Sequence, residues 1–249
     1  GNTSLSASLW FKIALAGLAS LLFVYMGRNV SDSRAQLIFV ATMMVPLVSI
    51  SSYTGLVSGL SVGMISVPYP GGGSEEVLIM WGRYLTWALS TPMILIALGL
   101  LAGTNLTKLF TVVVMDIGMC VTGLAAALTT SSLLLRWFWY LLSCAFFVAV
   151  IYVLLVEWPE DAREAGTAEI FGTLKLLTVT LWLGYPVFWA LGSEGLAILT
   201  TTQTSWAYSL LDVGAKYVFA FLLLRWVVAN QTVIGDIGSG SLSAAMAGD

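Results

Sequence analysis

Asp212 and Lys216 stand four residues apart in the run Leu211-Asp212-Val213-Gly214-Ala215-Lys216, inside an otherwise apolar stretch. On a helix that spacing puts a carboxylate and an amine on one face, one turn apart. A lysine taken out of water loses its proton readily unless a carboxylate stays close. An amine so placed can also condense with an aldehyde to give an imine. The pair therefore offers a nucleophile and an anion able to hold the protonated imine.

A second set lies in Trp81-Gly82-Arg83-Tyr84-Leu85-Thr86-Trp87-Ala88-Leu89-Ser90-Thr91-Pro92. At about 100° per residue, Arg83, Thr86, Ser90 and Ala97 fall in one narrow stripe. The stripe reads cation, hydroxyl, hydroxyl, methyl. Hydroxyls donate hydrogen bonds without adding charge. An arginine and two hydroxyls beside a positive imine make a pocket short of one negative charge. Further on, Trp182, Tyr185 and Trp189 follow at i, i+3 and i+7 around Pro186. Such a stripe ordinarily means core packing. Beside Trp87 and a buried lysine it also suits a long, flat, apolar ligand.

The elements that carry these residues follow from composition. The chain has 249 residues, 59% hydrophobic and 9% charged, with mean hydropathy +0.94. Soluble domains carry about 25% charged residues. The deficit excludes a soluble globular domain and a disordered chain, and it fits a membrane protein. At roughly 35 residues per span and loop, the length allows about seven spans. The spans are expected at 8–27, 34–60, 80–102, 106–129, 132–157, 168–191 and 203–228. Between the second and third, residues 61–79 carry the turn Tyr69-Pro70-Gly71-Gly72-Gly73-Ser74, whose flanks can pair as a short hairpin. Residues 157–164 are the most charged segment and are expected to form a solvated loop. Residues 1–230 form one seven-span domain, and the Gly/Ser/Ala-rich segment 231–249 is expected to be a flexible cytoplasmic tail. Gly55, Gly59 and Gly63 suggest a close-packing ridge.

Absent residues narrow the chemistry. There is no histidine, which removes Ser-His-Asp and Cys-His catalysis and histidine metal sites. No phosphate-binding glycine loop is present. The net charge of −3 without a basic cluster argues against nucleic acid. Orientation follows from basic residues. With the N-terminus outside, Arg28, Arg34, Lys108, Arg163, Lys175 and Arg225 fall on the cytoplasmic side, and only Lys12 and Arg136 fall outside. Arg83, Asp116, Asp212 and Lys216 lie deep in the spans, where ionisable groups mark function by default. The plain alternative for each is mutual pairing that fixes helix packing, and for Asp116 a hydrogen-bonded tie to a neighbouring helix.

Trp81-Gly82-Arg83-Tyr84 with Trp87 and Thr91-Pro92, Trp182 with Tyr185-Pro186 and Trp189, and Asp212-Val213-Gly214-Ala215-Lys216 together resemble the microbial rhodopsins, over about residues 8–228. The resemblance implies an all-α, seven-transmembrane-helix bundle with its C-terminus in the cytoplasm. It implies that Lys216 carries all-trans retinal as a protonated Schiff base, held in a pocket of Trp87, Thr91, Met119, Gly123, Ser143, Trp182, Tyr185, Pro186 and Trp189, with Asp212 as counterion. Outward proton pumps of the family carry aspartate at the place of Thr86 and an acid at the place of Ala97. Neither is present here. The set Thr86, Ser90, Ala97 is instead similar to the archaeal halorhodopsins, as are residues 37–59, 82–103 and 116–132.

That similarity implies a light-driven inward chloride pump, an ion transporter and not an enzyme. Chloride or another halide would sit among Arg83, Thr86, Ser90, Asp212 and Lys216, and would leave past Lys175 and Thr178. The setting implied is an archaeal plasma membrane, with membrane lipid, a homotrimer and a carotenoid as candidate partners. One departure stands out, in the loop 61–79, and one further residue, Thr204, argues against a proton-release pair. The loop 61–79 is shorter in its middle than in some halorhodopsins. Thr204 stands ten residues after Glu194, where proton pumps have a second glutamate. A sensory rhodopsin, a light-gated anion channel and a retinal-free seven-helix receptor or carrier are the competing functions.

Overall fold

In a computed structural model, residues 2–237 are described. Seven helices are long and apolar enough to span a bilayer: α1 (Thr3–Gly27), α2 (Ser33–Val57), α3 (Gly82–Ala102), α4 (Leu106–Leu128), α5 (Leu133–Ala165), α6 (Ala168–Leu191) and α7 (Thr201–Ala229). The chain is a multi-pass integral membrane protein. Consecutive spans pack as neighbours, and α1 closes the ring against α7. The spans α3 and α7 are the most enclosed, whereas α5 and α6 turn most of their surface outward. The two helices carrying the chemistry are thus the two that the others surround.

Local chemistry sets the ends. Asp32, Asn105 and Ser132 each accept a hydrogen bond from a backbone N–H in the first turn of α2, α4 and α5, satisfying groups that a helix start leaves free. Thr200 and Gln203 form a reciprocal capping box at the start of α7. Gly103 and Gly166 end α3 and α5 with φ of +69° and +81°, a conformation glycine adopts without a Cβ clash.

Two spans are interrupted at the site. In α6, helical geometry breaks at Leu183, between Trp182 and Gly184. Pro186 has no N–H to give the Trp182 carbonyl four residues back, so the helix is free to bend there. In α7, Val213–Val218 winds as a π-bulge. Such bulges accompany functional positions, and Lys216 lies within this one.

Between α2 and α3, β1 (Gly63–Pro68) and β2 (Ser74–Ile79) pair antiparallel, from Gly63 opposite Ile79 to Pro68 opposite Ser74. Val67, Val77 and Ile79 bury against Tyr84 and Trp189, and the Tyr69 hydroxyl donates to the Ser193 carbonyl. The hairpin therefore covers one end of the bundle.

Four expectations are corrected. Residues 157–164 are helical, not a loop. Trp158 and Ala162, one turn apart, are buried, and Asp161 pairs with Lys108 at 3.2 Å. Apolar spacing outweighed the charge of the segment. At 33 residues, α5 is about 50 Å long against a hydrocarbon core of about 30 Å, so its charged last turns stand clear of the lipid. Residues 231–237 are likewise helical. Ile234 is buried, and Gln231 accepts from the Ser31 and Asp32 N–H groups. Of the expected tail, 238–249 lies outside the described residues. The glycine ridge is not one helix face, because α2 ends at Val57, Gly59 has φ +78° and Gly63 opens β1. Lys12, finally, is not at the outer edge of α1 but buried inside the bundle.

Candidate functional site

At the bulge of α7, Lys216 and Asp212 are both almost fully buried, with Lys216 Nζ 3.5 Å from Asp212 Oδ1. No hydrogen-bond partner reaches Lys216 Nζ. Asp212 is better served. Tyr185 donates to Oδ1, and Lys12 pairs with Oδ2.

Lys216 opens into a cavity of about 760 Å³, counted with its mouth. Four spans line it. From α3 come Tyr84, Trp87 and Thr91; from α4, Met119, Cys120 and Gly123; from α5, Tyr140, Ser143, Cys144 and Phe147; from α6, Trp182, Tyr185, Pro186 and Trp189. The rings fix one another. Trp87 meets Tyr84, Tyr185 and Tyr208 edge-on at 5.0–5.5 Å, and Tyr140 stacks on Trp189 at 4.9 Å. Edge-to-face and offset-stacked pairs are the favoured geometries of aromatic quadrupoles. At Gly123 a Cβ would stand 3.6 Å from both Ser143 Oγ and Tyr84, so the missing side chain leaves room on that wall.

An unpartnered amine in an apolar, aromatic cavity fits an apolar aldehyde bonded at that nitrogen. All nine residues expected around Lys216 line this one cavity; Asp212 stands at its edge, against the lysine. Tyr84, read in the sequence only as part of a motif, lines it too, as do Cys120, Tyr140, Cys144 and Phe147, which were not singled out. Their signal was present, since Tyr140, Ser143 and Phe147 follow i, i+3 and i+7, but in so apolar a span that spacing reads as packing.

The stripe on α3 is buried throughout: Arg83, Thr86, Ser90 and Ala97. Thr86 donates to its own helix at Gly82 O, 3.1 Å away. Ser90 Oγ and Arg83 Nε have no partner. Another Arg83 nitrogen donates to Ser205 Oγ at 3.1 Å, and its guanidinium lies 4.8 Å from the Tyr208 ring. Buried polar groups are normally satisfied. Arg83 Nε and Ser90 Oγ on the stripe, and Lys216 Nζ beside Asp212, are thus three buried donors without a hydrogen-bond partner.

Arg83 also borders a smaller cavity of about 280 Å³ with Glu194, Thr204 and Tyr208, on the hairpin side. Trp189 borders both cavities. Glu194 accepts from the Tyr84 hydroxyl. Burial raises its carboxyl above the ordinary range, against the hydrogen bond from Tyr84 and the nearby arginines. Arg136, expected at the outer edge, is buried. It donates to the carbonyls of Ala127 and Thr129 at 2.8 Å and to that of Glu194, tying the α4–α5 turn to the end of α6.

Asp116 is buried on α4, and Thr91 donates to its Oδ2 at 2.6 Å while holding the Trp87 carbonyl at the same distance. This is the tie between helices anticipated for it. Lys175 and Thr178 lie outside the aromatic cavity. Thr178 is buried with an unpartnered hydroxyl; Lys175 is half-buried.

Sequence and structure comparisons agree with this geometry. A profile of bacteriorhodopsin-like proteins matches residues 3–230. A halorhodopsin of Halorubrum sodomense is 72% identical over 241 residues, covering 96% of this chain and 86% of that protein. A solved structure described as halorhodopsin, a light-driven chloride pump, superposes with TM-score 0.92 at 62% identity, covering 94% of this chain and 99% of the other. A bromide-bound halorhodopsin of Halobacterium salinarum superposes with TM-score 0.91 at 63% identity, covering 94% and 97%.

Proposed function

The chain belongs to the bacteriorhodopsin-like family, and on that premise we propose that it is a light-driven inward halide pump carrying retinal on Lys216. It is an ion transporter and not an enzyme. The observation that carries the reading is a charge imbalance. Lys216 and Lys12 share one buried carboxylate, Asp212, with the buried Arg83 a third cation acting on both, while the stripe beside them offers Thr86 and Ser90 where a proton pump needs an acid.

All-trans retinal, bound at the Lys216 nitrogen, would supply light absorption and the isomerisation that reorients the N–H. The chain's residues do the rest. Trp87, Trp182, Tyr185 and Trp189, with Thr91, Met119, Gly123, Ser143 and Pro186, shape the cavity and exclude water from it. Asp212 balances the positive nitrogen, held in place by Tyr185. Ser90 and Arg83, with unpartnered donors, and Thr86, when its hydroxyl turns from Gly82 O, offer hydrogen bonds to chloride, which supplies the negative charge that Thr86 lacks. An alcohol cannot take the proton that a carboxylate would take, and Ala97 cannot return one. The transported charge is therefore the anion.

The direction rests on the basic residues. With Lys12 inside the bundle, the count is six cytoplasmic to one outside, Arg136. This favours the N-terminus outside and the C-terminus in the cytoplasm. The hairpin and the Arg83–Glu194 cavity then face outward as the anion's entry, and Thr178 and Lys175 stand on its exit. Moving one anion inward against a negative-inside potential costs about 2.3 kcal/mol per 100 mV, a small part of a visible photon. A homotrimer, bilayer lipid and a carotenoid are proposed as the partners that cover outward apolar side chains such as Leu134, Phe138 and Leu141.

External pH in illuminated cells, unbuffered in sodium chloride, tests the reading. A chloride pump draws protons in passively, so the medium turns alkaline, a protonophore enlarges the signal and sulfate abolishes it. Acidification that the protonophore removes would identify a proton pump instead.

A further inference from the structure

The α1 helix carries a polar seam, of which the pump reading uses only the charge of Lys12. Ser8 and Lys12, one turn apart and both buried, face α7. Ser8 Oγ lies 2.7 Å from Ser205 Oγ, the acceptor of Arg83. Lys12 Nζ donates to the Tyr53 hydroxyl and pairs with Asp212 Oδ2. It also lies 4.1 Å from the centre of the Tyr53 ring. Lys216 and Arg83 are the nearby cations that act on it. No lipid or solvent contact explains a lysine here. An ammonium in a bilayer interior is expensive, and packing alone would be served by an apolar side chain.

Its effect on the site follows from charge. Asp212 has two oxygens. One faces Lys216 and is shared with Tyr185; the other is taken by Lys12. A carboxylate divided between two ammonium groups holds each less fully. Counted at Asp212, with Arg83 and without Glu194 of the hairpin-side cavity, the cluster has three cations and one carboxylate, two positive charges in excess. One halide among Thr86, Ser90 and Arg83 leaves the cluster still positive by one. From this geometry we propose that Lys12 is an affinity-determining residue for the transported halide, acting through Asp212 and through its own charge. The proposal rests on the halide-pump reading and adds to it. It assigns to α1, outside the α3 stripe, a share in how tightly the anion is held.

The test uses purified, retinal-loaded protein and titrates the visible band with chloride and with bromide. Glutamine at position 12 keeps hydrogen-bonding groups for Tyr53 and Asp212 and removes the charge. Lys12→Gln is expected to weaken halide binding on the order of tenfold, as loss of a nearby unit charge in a partly screened interior implies. Lys12→Arg should stay near the unaltered protein. In halide-free buffer, Lys12→Gln should also hold its protonated visible band to higher pH, because one repelling cation is gone. A merely structural lysine would lower thermal stability without moving either titration.

Equal halide affinity and an equal pH midpoint in Lys12→Gln would overturn the proposal. Absence of any halide effect on the unaltered protein would overturn the pump reading itself. Should Lys12→Gln not take up retinal, the unaltered protein labelled with 15N at its lysine side chains gives the answer by NMR. An ammonium resonance distinct from Lys216 that shifts with halide is expected, and the lack of one would overturn the proposal.

Discussion

Tyr185 donates its hydroxyl to Asp212 Oδ1, the oxygen that lies 3.5 Å from Lys216 Nζ. The ring that shapes the cavity wall therefore also aims the carboxylate at the reactive amine. Tyr185→Phe keeps the wall and removes the aim. The visible band of the retinal-loaded protein should shift, and halide affinity should change by a few-fold, while retinal uptake continues. A spectrum and halide titration identical to those of the unaltered protein would show that Lys12 and the backbone position Asp212 unaided.

Asp212 is the carboxylate that Lys12 and Lys216 share. Asp212→Asn leaves these cations uncompensated, a loss on the order of 3–5 kcal/mol for one partner of a buried pair. A mobile anion can replace part of what is lost. The thermal midpoint of Asp212→Asn should fall well below that of the unaltered protein, and it should climb more steeply with halide concentration. Parallel halide dependence in the two proteins would place the anion away from this cluster.

Thr91 satisfies one oxygen of Asp116, whose other oxygen has no partner. Thr91→Val strands the carboxyl, at a cost of about 1–3 kcal/mol. The expected result is a lower unfolding midpoint with halide affinity within about twofold of normal. A large change in halide binding would mean that Asp116 belongs to the anion site and does more than tie α4 to α3.

Glu194 lies in the turn after α6, and burial raises its carboxyl above the ordinary range. The sign of the pH effect follows. The folded protein holds this proton more tightly than the unfolded chain, so the associated stability is full at low pH and is lost as pH rises through the folded value. Glu194→Gln has nothing to ionise. Its thermal midpoint relative to the unaltered protein should improve from about pH 5 to about pH 8. A constant difference over that interval would mean that Arg83, Arg136 and Tyr84 together offset the burial.

The sequence made the chemistry legible where residue type and helical spacing coincide. Asp212 and Lys216 at i, i+4, and the Arg83-Thr86-Ser90 stripe, need only a regular helix to be brought together, and α3 and α7 provide it. Lys12 escaped for a positional reason. Reading α1 from residue 8 places Lys12 in the first turn, at the membrane edge. The helix is already formed at Thr3, more than a turn earlier, and carries Lys12 into the bundle. Residues 157–164 misled in the opposite sense, because their charges hide the buried Trp158–Ala162 pair. The break at Leu183 and the bulge around Lys216 had no periodic signature. The break follows from Pro186, a local cause readable in the residue itself, whereas nothing in the residue types of 213–218 announces the bulge.

The sharpest mutation for transport is at Thr86. Its hydroxyl is committed to Gly82 O within α3, so the residue offers no charge to the site. Thr86→Asp would place a fixed carboxylate where the mobile anion is proposed to sit. Two anions close together in a buried site repel strongly. Halide affinity, read from the visible band, should fall by tenfold or more. The light-induced pH signal should lose its requirement for halide, because the new carboxylate can accept a proton. Ala97 still supplies no acid, so any proton cycle would turn over slowly. If Thr86→Asp instead kept full halide affinity and unchanged chloride-dependent alkalinisation, the anion would not lie beside Thr86, and the stripe on α3 would have to be read as packing.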